Sequence, residues 1–266
     1  MRLIRRPKGL LTMTVVGLFF CAAAAAIAAD WKELKGEHFI VYYVEDEKFV
    51  EDVLAVAEKN YNRIASDLGY SRYDNFWQWD KRAKIYIYKD QAEFLFAIGK
   101  REPWIHGVAI YDKREIISYG RNIDFLNKLL PHELAHLIFR DFVGFKSEVP
   151  LWLDEGVAQC EEAARRAWAI GFVKKLVRSG EFIPLAELTR IGSGSEKDPV
   201  LSAKLYAQAV TLVGYLIEKH GATKFALLCR QLRDGKSIDE ALSFVYTDSI
   251  SNMSELEKVW IKYYGG

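Results

Sequence analysis

The stretch Leu130-Pro131-His132-Glu133-Leu134-Ala135-His136, with Pro150-Leu151-Trp152-Leu153-Asp154-Glu155-Gly156-Val157-Ala158 after it, decides how this chain is read. On a helix, His132 and His136 lie one turn apart and share a face. Two imidazoles on one face make half of a tetrahedral zinc site. Glu133 sits beside the first of them, placed to take a proton from a water that the metal acidifies. Eighteen residues separate His136 from Glu155, which can supply a third ligand and leave the fourth position open. The expectation is one zinc ion on His132, His136 and Glu155, with Glu133 as general base.

The motif string alone also fits a surface helix whose histidines touch nothing. Leu129, Leu130, Leu134, Leu137 and Ile138 flank it, which predicts a buried helix instead. The chain has five histidines and two of them fall here. Pro150 is placed to start the helix that carries Glu155. Pro131 would cost about 3 kcal/mol inside a helix. The motif helix therefore either begins there or continues a longer helix that kinks.

Outward from the motif, apolar spacing predicts helices over 122–140, 150–178, 200–219, 222–233, 236–245 and 252–264. Residues 191–195 are glycine- and serine-rich and read as a loop, closed by Asp198-Pro199. Upstream, β-branched and aromatic runs predict strands at 38–44, 83–88, 106–111 and 115–119. A helix over 46–68 ends at Gly69, and Asp90 caps a short helix to Ile98. No repeat or long linker divides the chain. The reading is an α+β fold: a mixed α/β lobe with a small sheet over 30–120, and an α-helical lobe over 121–266, acting as one catalytic unit.

The first nine residues carry Arg2, Arg5, Arg6 and Lys8; residues 10–29 are uncharged and end in Ala26-Ile27-Ala28. That pattern predicts a secretory signal peptide over 1–29, and hence a periplasmic or extracellular protein. An uncleaved anchor is the alternative, since about 20 apolar residues can span a bilayer. A membrane is a partner only if 1–29 is retained. Without those four basic residues the formal charge moves from +1 to −3. No basic stripe exists, so nucleic acid is not an expected partner. Cys160 and Cys229 lack Cys-x-x-Cys spacing; they either pair in an exported protein or are buried thiols.

His-Glu-Leu-Ala-His followed by Pro-Leu-Trp-Leu-Asp-Glu-Gly-Val-Ala resembles the gluzincin zinc metallopeptidases, which include thermolysin and zinc aminopeptidases. The closer resemblance is to small exported proteins of the peptidase MA-like group. It covers most of the chain from Phe39 to the terminal helices and is firmest over 131–158. It implies a zincin-like fold with the zinc site in a cleft between the two lobes. It also implies His132, His136 and Glu155 as ligands, Glu133 as base, and a peptide or protein substrate. An edge strand that binds substrate backbone is implied at Gly107-Val108-Ala109-Ile110, against the plainer reading of an ordinary sheet strand. Tyr206 occupies the place of an oxyanion-stabilising tyrosine, with a core role as the alternative.

The chain also departs from that family. The Gly-Ala-Met-Glu-Asn signature that holds a substrate amino terminus has no match, which argues against an aminopeptidase. Gln159 stands where thermolysin-type relatives have an aspartate, and is expected to hydrogen-bond a histidine ligand. Asp154 is the other candidate for that role, or else a solvated helix residue. His106 is expected to be structural or exposed, though it could line the cleft. Tyr70, Tyr73, Trp77 and Trp79 suggest loop or core packing, and Arg165-Arg166 and Lys174-Lys175 suggest solvated helix faces. Two rival functions remain: a catalytically silent metal-binding scaffold, for which an intact Glu133 is unnecessary, and a zinc hydrolase of a non-peptide amide or ester.

Overall fold

The computed structural model describes residues 31–69, 77, 81–101, 105–122, 124–144, 149–192 and 198–266. The expected leader over 1–29 lies outside those residues, as do Tyr70, Tyr73 and Trp79.

Among the described residues, five strands form one sheet: β1 (Lys32–Lys35), β2 (Phe39–Tyr43), β3 (Ala83–Tyr88), β4 (Val108–Ile110) and β5 (Glu115–Tyr119). Their order is β1-β2-β3-β5-β4. The central β2, β3 and β5 run parallel, and β1 and β4 add antiparallel at the two edges. Side chains alternate across a strand, so Phe39, Val41, Ile85 and Ile87 are buried on one face. The opposite face gathers aromatic rings, with Tyr42 stacked on Tyr86 at 5.1 Å and Trp31 edge-on to Tyr88 at 5.1 Å. Strand β1 carries no strand signal in its Lys-Glu-Leu-Lys sequence. It forms because β2 offers an unpaired edge, and its charges suit an edge position.

Helix α1 (Glu47–Asp67) follows β2 and buries Val50, Val53, Ala57 and Ile64. Asp46 caps it, accepting from the Phe49 N–H. Helix α2 (Gln91–Ala97) follows β3, capped by Asp90 as expected. The remaining helices are α3 (Leu130–Val143), α4 (Leu151–Cys160), α5 (Ala163–Ser179), α6 (Leu185–Leu188), α7 (Pro199–His220), α8 (Ala222–Arg233), α9 (Ile238–Val245) and α10 (Met253–Gly265). The architecture is thus a small mixed sheet with its helices, followed by a mostly helical part, in line with a zincin-like fold.

Two predicted helices are corrected. The segment 122–140 is not one α-helix: Phe125–Leu129 is a π turn that feeds α3. Leu130 N–H donates to Phe125 O, five residues back, and Pro131 then occupies the first turn of α3, where its missing N–H does no harm. The segment 150–178 breaks in two, with Glu162 extended between α4 and α5. Its carboxylate is held elsewhere, as described below.

Helix α7 has an 18-residue window apolar enough to cross a membrane, but 72% of that window is buried within this fold. It packs against α4, and Gly156 permits the approach. A Cβ at Gly156 would lie 2.5 Å from Ala209 O on α7. Neither Cys160 nor Cys229 is in a disulfide, so the pairing alternative falls away. Burial pushes the Cys160 thiol up to about 12. Trp77 is core: it is 1% exposed and packs between the Phe39 and Tyr61 rings at 5.6 and 5.3 Å.

Candidate metal centre

Helix α3 is buried along nearly its whole length, as its apolar flanks predict, and carries His132, Glu133 and His136 inward. Helix α4 brings Glu155, fully buried, to the same place. His132 Nε2 and His136 Nε2 stand 3.2 Å apart, and His136 Nε2 lies 3.8 Å from Glu155 Oε1. The three ligand atoms fall within 4.8 Å of one another, and among the described residues this is the one such group. A tetrahedron with metal–ligand bonds of about 2.1 Å sets its corners roughly 3.4 Å apart. The spacing and the two-nitrogen, one-carboxylate donor set therefore fit zinc.

Each histidine is backed by a carboxylate. His136 Nδ1 bonds Asp154 Oδ1 at 3.0 Å, and His132 Nδ1 bonds Glu162 Oε1 at 3.1 Å. An ionised carboxylate only accepts, so each Nδ1 carries the proton, and each Nε2 is turned toward the ligand cluster. Each carboxylate is in turn gripped by an arginine. Arg140 donates from Nε (3.0 Å) and Nη2 (2.7 Å) to Asp154 Oδ2, and Arg165 Nε donates to Glu162 Oε2 at 3.1 Å. Two histidine–carboxylate–arginine chains thus hold the pair of imidazoles.

The electrostatics ask for positive charge here. Burial disfavours a charged His136, but Asp154, Glu155 and Glu133 overcome it and raise the ring to about 9. Burial likewise works against an ionised Asp154, yet His136 and Arg140 hold its carboxyl down at about 2. Burial raises the Glu133 carboxyl above its ordinary value, against the pull of His132 and His136. A buried group of three carboxylates and two imidazoles is a setting that a divalent cation neutralises.

Several sequence expectations change. Gln159 does not bond a histidine: its Nε2 donates to Glu155 Oε2 at 3.3 Å, because the i,i+4 spacing on α4 places them together. Asp154 is not a solvated helix residue; it is buried on His136. Arg165 is not on a solvated face either, since it holds Glu162, whereas Arg166 forms an exposed ion pair with Glu218. Tyr206 is buried on α7, the helix packed against the ligand-bearing α4. His106 is structural: its Nδ1 meets the Tyr119 hydroxyl at 2.7 Å, and its carbonyl accepts from Ser118 and Asn122. His38 is paired with Glu58 at 2.7 Å.

Of the expected 107–110 edge, Val108–Ile110 forms the strand, and among the described residues β4 pairs only with β5. Its end runs into the one-turn helix Tyr111–Lys113, and the Tyr111 hydroxyl reaches Glu133 Oε2 at 3.4 Å. Glu162, Arg140, Arg165 and Tyr111 were missed from sequence. Helical periodicity ran through Glu162 without a break, and nothing in spacing joins Tyr111 to Glu133 across twenty-two positions.

Residues 72–263 match the family model of the Peptidase MA superfamily. None of the curated proteins matches the chain. The matched span holds most of the chain, with the whole ligand cluster and both backing carboxylates inside it, and the chain belongs to the Peptidase MA superfamily, a metallopeptidase-like family.

Proposed function

We propose that the protein is a zinc-dependent peptidase of the gluzincin type, exported through residues 1–29. The observation that carries this reading is the convergence of His132, His136 and Glu155 within 4.8 Å, with Glu133 beside them on α3. His132, His136 and Glu155 would hold a zinc ion, which when bound would supply Lewis-acid polarisation of the substrate carbonyl and a more acidic water. Glu133 takes the proton of the attacking water and hands it to the leaving amine nitrogen. Asp154 and Glu162 keep the two imidazoles in the tautomer that presents Nε2, and Gln159 orients Glu155. Tyr206 is the proposed donor to the developing oxyanion.

The substrate is a peptide or protein segment laid along β4, whose outer edge has backbone groups to pair. Burial of the ligand cluster supports chemistry away from bulk water. An intact Glu133 supports catalysis over a silent scaffold.

Zinc content and cleavage of a diverse peptide library test the reading together. The expected result is one zinc per chain and cleavage by wild type. Glu133→Gln should retain zinc and lose turnover by at least about a hundredfold. A protein without zinc, or a Glu133→Gln variant as active as wild type, would overturn it.

A further inference from the structure

The turn that ends β4 carries a second group into the metal centre. Tyr111 opens this one-turn helix, and Arg114 closes it in the left-handed conformation at φ 53°. Arg114 N–H donates back to Tyr111 O at 3.1 Å. Positive φ is uncommon outside glycine, and here a largely buried carboxylate meets the side chain that follows from it. The holding contact is Asp141 on α3: Arg114 Nε donates to Asp141 Oδ1 at 2.8 Å. Trp77 Nε1 occupies the other oxygen, Asp141 Oδ2, at 3.1 Å. One four-residue turn thus touches α3 twice, through Arg114 at Asp141 and through Tyr111 at Glu133.

At Glu133 the contact is specific. The Tyr111 hydroxyl lies 3.4 Å from Oε2, and its ring centroid lies 5.7 Å from that of His136. A phenol is protonated at neutral pH and donates; a carboxylate accepts. At 3.4 Å the bond is long, so its strength depends on the turn being held firmly, which the Arg114–Asp141 pair provides. The last torsion of a glutamate is broad and roughly two-fold, so a single contact can select the orientation of its carboxyl plane.

We propose that Tyr111 is a positioning residue for Glu133: its hydroxyl binds Oε2 and fixes the carboxyl plane, leaving Oε1 to handle the proton of the attacking water. This rests on Glu133 being the general base. Tyr111 directly follows Ile110, the last residue of β4. A peptide paired along that edge therefore bears on the same turn that aligns the base, and substrate binding and base alignment share one element.

The test uses the full chain with 13C at the tyrosine ζ carbons. The resonance lost in Tyr111→Phe assigns Tyr111. Glu133→Gln should move that resonance, and so should Arg114→Gln, whose side chain touches neither partner. An unmoved resonance in Glu133→Gln overturns the proposal, whether or not the protein cleaves peptides. In the cleavage assay, Tyr111→Phe should lower kcat by roughly ten- to a hundredfold with KM within about twofold and zinc content unchanged. Unchanged kcat in Tyr111→Phe, beside a dead Glu133→Gln, overturns the positioning role and leaves the peptidase reading standing. A moved resonance in a zinc-free, inactive protein does the reverse: the contact stands and the peptidase reading falls.

Discussion

Glu162 Oε1 lies 3.1 Å from His132 Nδ1, and it gets there only because the chain leaves helical geometry between α4 and α5. Had 150–178 been one helix, this carboxylate would have followed the helix surface. The break places a second carboxylate behind the second imidazole, so both histidines are oriented by the same kind of partner. Glu162→Gln keeps an acceptor for Nδ1 but removes the charge, and should weaken zinc binding by roughly 10- to 100-fold. Asp154→Asn should do at least as much, since it also strips Arg140 of its charged partner. Competition with a chromophoric chelator measures both. Affinity equal to wild type in the two variants would show that the backing carboxylates are incidental.

Zinc should also stabilise the fold. A ligand that binds only the native state adds about 2.7 kcal/mol at a hundred times its Kd. Thermal melting with zinc and with chelator should therefore differ by several degrees. Glu155→Ala removes a ligand and should abolish most of that difference. A chelator-insensitive wild type would count against a bound metal.

Gly156 and Gly171 make a matched pair of helix glycines with opposite expectations. A Cβ at Gly156 meets the α7 backbone at 2.5 Å, whereas a Cβ at Gly171 meets nothing within 4 Å. Gly156→Ala should destabilise the protein by about 1–3 kcal/mol through overpacking. Because it pushes α4 away from α7, it should also weaken zinc binding at Glu155. Gly171→Ala should stabilise by about 0.5–1 kcal/mol, the helix-propensity gain. Urea denaturation of both variants decides, and equal effects would refute the packing argument.

Glu161 predicts a pH effect away from the metal. Burial raises its carboxyl from 4.5 to about 7, against the attraction of Arg63, which is in ion-pair contact with it but partly exposed. Asp67 adds to the rise and Arg166 opposes it. The folded state thus holds this proton more tightly than the unfolded state. The resulting stability is fully present below about 4.5 and is lost as pH rises through about 7. The stability of wild type relative to Glu161→Gln should fall as pH rises across that window. A difference that stays flat with pH would show that Glu161 ionises normally.

The sequence by itself determined most of the elements and the candidate ligand set. Four of the five described strands fall on β-branched or aromatic runs, and Gly69 and Asp90 mark helix ends from local chemistry alone. His132 and His136 meet because helical pitch alone brings residues four apart together. The apolar flanks of the motif were enough to show that its helix is buried.

Tertiary structure alone decided what surrounds those ligands. Strand β1 exists only because β2 leaves an edge to pair. The π turn before Pro131 and the break at Glu162 override helical periodicity, the first to accommodate a proline and the second to satisfy a histidine. Asp154, Glu162 and Tyr111 acquire their partners across 18, 30 and 22 positions of chain. Periodicity reports which face of an element is apolar; it carries no information about which polar group on one element meets which on another. Those pairings follow from burial, because a charged group taken out of water must find a partner wherever packing places one.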